Sequence, residues 1–417
     1  MTLDPTTLLA GPRGRRLCLE WALRRGESRP DTEALASAVY TATFNVGNGT
    51  VGLYTTGRFH NFSRWFRFPS RLPSRLWSRL WFRFPSHLLF RGPAALRAPF
   101  ILPEPKGVAD LLAEQPLTEP DSLALLQALG ETVDSARYWQ EPEPIDILAA
   151  APDVTLALER VAAVIAASRP AANWTRPASD TQQWLVVFEY EGSARPDPTF
   201  PAIPKTAAES LDEWRERVID TETRAASIRS ISPESAHSGE WWSTPPALFT
   251  TTTGAFSNNR GPYLGESAGL GPVGLWLVED GRGWERAIVM RLSVPTDARI
   301  FTIDGPDAWA QLCRRYPLEV TASRRHDWFY TTGRDGRWIT PDWAAAQQDF
   351  DAVHLTIAGY LQTAGLAVAL DSERASVLAG WSPDHTFWLQ DIEADPLTAE
   401  DWVFNPAERR WGKATLG

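Results

Sequence analysis

Arg286-Ala287-Ile288-Val289-Met290-Arg291-Leu292-Ser293-Val294-Pro295, followed two residues later by Ala298-Arg299-Ile300-Phe301-Thr302-Ile303-Asp304, decides the fold class. Both runs are short, rich in β-branched residues and bounded by turn formers, so they read as strands. Two residues between them leave no room for a helical crossover, which parallel neighbours would need. Working outward, further strands are read at 247–252, 273–279, 318–322, 352–357, 366–370 and 386–389. Two short helices interrupt them. One opens at Pro306 and turns Trp309, Leu312 and Cys313 inward; the other is capped by Thr340, with Pro341 at its first helical position. Strands outnumber helices and connections are short, so residues 240–417 are expected to form an α+β domain with a largely antiparallel sheet.

Upstream the pattern is more helical. Residues 8–23 read as a helix or helix–turn that carries the run Arg13-Gly14-Arg15-Arg16. An alternating stretch at 41–56, centred on Gly47-Asn48-Gly49, predicts a hairpin. Asp121 or Ser122 caps a run with Leu123, Leu126, Leu129 and Val133, and Asp153 caps another with Val154, Leu158, Val161 and Ile165 on one stripe. A buried-type strand is read at 184–190. Residues 191–205 hold four prolines and no periodicity. Thr206 and Glu209 then form a capping box for a helix with Leu211, Trp214 and Val218 inward. The expected division is a helical or mixed region over 1–190, a linker and connecting helix over 191–239, and an α+β domain over 240–417.

Composition bounds the function. The 417 residues carry a formal net charge of −10, yet nine arginines and no Asp or Glu lie between Ala34 and Pro103. Within that basic insertion (58–97), Trp65-Phe66-Arg67-Phe68-Pro69-Ser70 recurs letter for letter as Trp81-Phe82-Arg83-Phe84-Pro85-Ser86. Arg64, Arg67, Arg71, Arg75, Arg79 and Arg83, interleaved with aromatic rings, suit single-stranded nucleic acid, where cations follow the backbone and rings stack on bases. An anionic membrane surface asks for much the same composition, and an inert low-complexity expansion is the third reading. Cys18 and Cys313 are the only cysteines, so neither a disulfide framework nor a Cys-based zinc site is expected. No apolar run of about 18 residues is free of charge and no secretory signal is read, so a cytoplasmic protein is expected. Twenty tryptophans point first to a Trp-heavy core.

No phosphate-binding loop of the GxxxxGK[ST] type and no HExxH occurs. The six histidines never fall two or four apart, and no metal site is expected. Gly265-Glu266-Ser267-Ala268-Gly269 matches the nucleophile-elbow letters, with His354 or His385 as a base, but reads as a loop between strands. Hydroxyl-rich strands, aromatics, an arginine and a carboxylate are what cleavage of the nicotinamide–ribose bond of NAD requires. Trp276, Tyr330 and Trp388 offer aromatic faces, Arg260 a guanidinium for the pyrophosphate, and Thr250, Thr252, His354 and Thr356 hydrogen bonds to ribose. Glu279 or Glu319 is the carboxylate for the oxocarbenium charge, with Glu373 the third candidate. The order of the Thr250–Thr253 strand and the strands at 287–295 and 298–304 resembles the split antiparallel sheet of ADP-ribosyltransferases. The resemblance covers 240–391, which holds no Ser-Thr-Ser triplet and no Gln/Glu-x-Glu turn. It implies an NAD-using transferase or glycohydrolase. The alternative is a non-enzymatic module that binds nucleic acid or protein through its Arg/Trp-rich surface.

Overall fold

Asp4 starts the fold locally: its carboxylate accepts the amide of Thr6 at 2.9 Å and Pro5 follows at the first helical position, giving α1 (Pro5–Ala10). Pro12 restarts the chain as α2 (Pro12–Arg24), whose residues from Arg13 to Leu23 are buried apart from Arg15. The computed structural model describes residues 3–24, 30–48, 104–178, 183–189, 205–228, 231–234, 240–246, 249–254, 269–281, 283–292 and 294–414. The basic insertion with Arg64, Arg67, Arg71, Arg75, Arg79 and Arg83, together with Arg260 and Ser267, lies outside them.

Around α2 pack α5 (Ser122–Asp134), α6 (Pro144–Ala149) and α7 (Pro152–Ala166), while α3 (Pro30–Asn48) and α4 (Pro105–Glu114) close the bundle. Asp121 caps α5, accepting the amide of Ala124 at 2.8 Å. The stripe Val154, Leu158, Val161, Ile165 is buried, but Ala151 stands at the cap position and Pro152 opens the helix. The hairpin expected at 41–56 is corrected, since helix α3 runs through to Asn48. Leu35, Val39 and Ala42 recur at helical spacing and are buried, so packing on the bundle outweighs the β-propensity of the Val/Thr/Tyr-rich stretch. Gly14 is where two helices touch: a Cβ there would overlap the carbonyl oxygen of Leu8. Gly14→Ala is therefore expected to lower stability by roughly 2–4 kcal/mol, read from the urea midpoint, because backbone rather than a flexible side chain must give way.

The main sheet has eight strands in the order β12-β11-β3-β1-β2-β10-β7-β4. Their ranges are β1 Gln183–Phe188, β2 Phe249–Thr252, β3 Arg286–Leu292, β4 Ile300–Ile303, β7 Ala352–Leu355, β10 His385–Trp388, β11 Ala394–Asn405 and β12 Arg410–Lys413. Every pairing in it is antiparallel except β4 with β7. A second sheet, order β5-β6-β9-β8, is formed by Pro317–Glu319, Arg337–Pro341, Arg374–Ser376 and Val368–Ala369 in that order. The remaining helices are α8 (Ala207–Ile228), α9 (Pro306–Arg315), α10 (Thr321–Thr332), α11 (Trp343–Ala346) and α12 (Ile357–Thr363). The chain is thus α+β with a largely antiparallel sheet.

Three readings are corrected here. β1, upstream of the linker, pairs in register with both β2 and β3, and a single apolar core runs from Leu3 to Leu389. The sheet therefore crosses the division drawn at 191–239, and the two sides share one core. The strand read at 273–279 is instead a 3₁₀ turn at Val273–Leu275, because Gly271 (φ 70°) and Pro272 bend the chain and the Gly274 amide is taken by Thr252. Thr340 and Pro341 end β6, and Asp342 is the cap of α11. By contrast Thr206 and Glu209 exchange their capping bonds at 2.9 and 3.2 Å, and Leu211, Trp214 and Val218 are buried. Trp309, Leu312 and Cys313 also point inward as read. Nine tryptophans are among the largest fully buried side chains, so the indoles chiefly build core. Among the described residues no helix is long and apolar enough to cross a membrane.

Candidate functional site

Antiparallel register decides which of the anticipated side chains can meet. Thr251 lies opposite Thr386, and Thr386 opposite His354, so these three share one face of the sheet. Thr250 and Thr252 take the other face. The ribose-binding set is therefore split. On the first face the groups satisfy one another: His354 Nδ1 is 2.9 Å from Thr386 Oγ1, Thr251 donates to Gln183 Oε1 at 2.8 Å, and Trp388 Nε1 donates to Thr251 Oγ1 at 2.9 Å. Trp388 is consequently a buried network member and not an open stacking face. Burial, reinforced by His385 nearby, pushes His354 down to about 3, and burial alone takes His385 to about 4.

On the other face Thr252 and Thr253 close on Asp384. Its carboxylate accepts Thr252 Oγ1 at 2.9 Å, the Thr253 amide at 2.7 Å and Thr253 Oγ1 at 2.8 Å. Asp384 itself has φ 62°, a left-handed conformation costly for a residue with a Cβ. Burial raises its pKa to about 6, against the pull of the three donors. Thr356 caps α12 by accepting the Gly359 amide at 2.9 Å. Trp276 is half-buried and donates to the Leu270 carbonyl at 2.7 Å. Tyr330 stands on α10 against His326, and Glu319 is tied to Arg337 at 2.7 Å on the second sheet. Glu373 lies in the exposed turn organised by Asp371. The structure thus does not gather the full NAD set in one place.

It does single out one of the three glutamates. Glu279 follows the 3₁₀ turn, its amide held by Ser382 Oγ at 3.2 Å, and its carboxyl is buried near Arg13 of α2, Tyr360 of α12, Tyr138 and the Gly380 amide. Burial raises it to about 8; the hydroxyls of Tyr360 and Tyr138, the charge of Arg13 and the amide of Gly380 all pull the other way. Among the described residues neither carboxyl oxygen completes a hydrogen bond of good geometry. Tyr138 and Arg13 in turn form part of the wall of a cleft, together with Ser135, Arg137, Glu141, Glu143, Asp146 and Thr331. Arg13 is anchored there by Asp146 at 2.6 Å and Arg137 by Asp280 at 2.9 Å. Arg16 bonds Glu20 at 2.8 Å and Asp146 at 3.2 Å, so much of the basic run at 13–16 is an internal ion cluster. Among the described residues no group of His, Cys, Asp and Glu could hold a metal ion.

Asp384, Arg13, Tyr138 and Tyr360 were not named as site residues from sequence. Arg13 stands in the charged run at 13–16, inside an apolar helix. Nothing local marked the two tyrosines. Comparison with family models, with curated proteins and with solved structures finds no match.

Proposed function

We propose that the chain cleaves the nicotinamide–ribose bond of NAD, as a glycohydrolase or an ADP-ribosyltransferase, with Glu279 as the carboxylate that stabilises the ribosyl oxocarbenium ion. The observation that carries this reading is the Glu279 carboxyl itself, buried, poised near neutrality at about 8 and one side chain behind an arginine-bearing cleft. Arg13 and Arg137 put guanidinium groups, the kind a pyrophosphate uses, in that cleft beside the carboxylates of Glu141, Glu143 and Asp146, and Tyr138 adds a ring to its wall. Nicotinamide leaves as a neutral ring, so no proton donor is required. The group at the reaction centre must instead be negative. The cationic nicotinamide of bound NAD favours that ionised form, as any nearby positive charge does.

The test is release of nicotinamide from NAD between pH 6 and 9. kcat/KM is expected to rise with pH through about 8, where Glu279 ionises in the free protein, and kcat to rise at lower pH. Glu279→Gln should reduce the rate by about 10²–10³, the usual loss when one charge-stabilising group is removed. No nicotinamide release at millimolar NAD removes the reading. A second reading follows from Glu279 being mostly protonated at pH 7: as a general acid on a leaving group that needs a proton, it would give a rate that falls through about 8. The slope of the profile separates the two. Binding of nucleic acid or an anionic surface through the Arg64–Arg83 repeat is a separate proposal that stands on sequence alone.

A further inference from the structure

The two phenols beside Glu279 form a connected pair. Tyr138 lines the cleft, Tyr360 is fully buried on α12, and their hydroxyl oxygens are 3.4 Å apart. Each phenol has one hydrogen to donate. While Glu279 is protonated, one phenol can give its hydrogen to the other; the 3.4 Å separation of the two hydroxyls and the carboxyl oxygens without a completed bond fit that state. Once Glu279 is ionised, a buried charge beside two phenols draws both hydrogens to itself, because an unpaired carboxylate in that setting is costly. The other groups facing this carboxyl are Arg13 from α2, backed by Asp146, and the Gly380 amide. Arg13 Nε also lacks a hydrogen-bond partner among the described residues, so the chamber is polar and incompletely satisfied on both sides.

We propose that Tyr138 and Tyr360 are positioning residues for Glu279 and that Tyr138 is the route by which its proton reaches the cleft. The inference rests on the reading of Glu279 as the working group. The step balances without a further reagent. The Glu279 O–H bond breaks as its proton binds the Tyr138 oxygen, and the Tyr138 O–H bond breaks as that proton passes to water in the cleft. Tyr138 ends as a neutral phenol, Glu279 as a carboxylate, and the water as hydronium.

The carboxyl C=O stretch of protonated Glu279, assigned by its loss in Glu279→Gln, follows this directly in the infrared. Tyr138→Phe and Tyr360→Phe are each expected to lower the ionisation constant about tenfold, the shift expected from losing one hydrogen bond to the charged form. After a pH jump, Tyr138→Phe should slow the change of the band at least tenfold, whereas Tyr360→Phe should leave its rate near wild type. In the unaltered chain, the ¹³Cζ resonances of both tyrosines should move at the midpoint of the band, and in Glu279→Gln they should not. This keeps the test open even if a variant folds poorly. An unchanged midpoint in both variants, or tyrosine resonances indifferent to Glu279, overturns the assignment. A band that behaves as expected without nicotinamide release leaves the positioning role standing and removes the NAD reading instead.

Discussion

Raising the pH from 5 to 9 is expected to cost the folded chain on the order of 4 kcal/mol through Glu279 alone, and Glu279→Gln is expected to abolish that loss. The sign follows from proton counting. The Glu279 carboxyl sits at about 8 in the folded chain against an ordinary 4.5. Between those values the folded state holds a proton that the unfolded state has released, so stability falls as pH rises, and the loss is complete above the folded value. Asp384 and Asp134, both raised to about 6 by burial, contribute in the same direction but finish lower, by about pH 6. The difference between wild type and Glu279→Gln isolates the glutamate, because both chains share the other titrations. Urea midpoints of the two chains should nearly coincide at pH 5 and diverge steadily to pH 9, the variant being the more stable. Parallel curves would mean that Glu279 ionises as freely in the folded chain as in the unfolded one. The chemistry assigned to it would then lose its physical basis. A carboxyl this costly to keep is uncommon in a purely structural position, where glutamine would serve better.

What was legible in the sequence was whatever local pattern alone controls. The strands at 286–292 and 300–303, the Asp121 cap, the Thr206–Glu209 box and the inward face of Leu211, Trp214 and Val218 depend on periodicity and on short-range hydrogen bonds. Where tertiary packing overrides propensity, the reading failed. Helix α3 forms through a Val/Thr-rich stretch because the bundle buries one side of it. Strand β11 was missed because Pro396 and the acidic residues Asp395, Glu400 and Asp401 break its alternation. The structure takes Pro396 into a bulge between Asp395 and Glu400, and pairs Asp395, Glu400 and Asp401 with β3. The candidate site was half legible for a similar reason. Glu279 could be named only as one of three glutamates, with Glu319 and Glu373, since the chemistry required a carboxylate and nothing local ranked them. Its neighbours Tyr138 and Tyr360 are brought to it from the helical region and from α12 by the fold alone. The Thr/His set failed on parity. A strand shows which residues alternate, but only register with β10 reveals that His354 shares a face with Thr251 and not with Thr250 and Thr252.

Lowering the pH from 7 to 4 is expected to cost roughly 3 kcal/mol through His354, in the opposite direction from the glutamate. His354 is held down at about 3 against an ordinary 6.5, because its ring is buried in the sheet beside His385. The folded chain keeps it neutral while the unfolded chain takes up a proton below 6.5. The stability this represents is therefore fully present above 6.5 and is lost progressively as pH falls towards 3. His385, at about 4, adds a loss of the same sign, while protonation of Asp384 next to it works the other way over much of the same window. His354→Gln separates the first from the other two. The variant should be less stable than wild type at pH 7, where it forfeits the bond to Thr386, and the gap should close as the pH approaches 4. In the folded wild type the His354 ring should remain neutral by ¹⁵N resonance down to pH 4. A ring that titrates near 6.5 would show that water reaches it and would remove the prediction. The consequence for function is direct. A base at about 3 in a sheet interior takes no proton from a substrate near pH 7, and its face of the sheet is not that of Thr252. If the chain cleaves NAD as proposed, His354→Gln is accordingly expected to retain nicotinamide release at any pH where it remains folded, whereas Glu279→Gln loses it while gaining stability above pH 5. That opposition, one variant weaker but active and the other stronger but silent, is what a structural histidine and a working glutamate should produce.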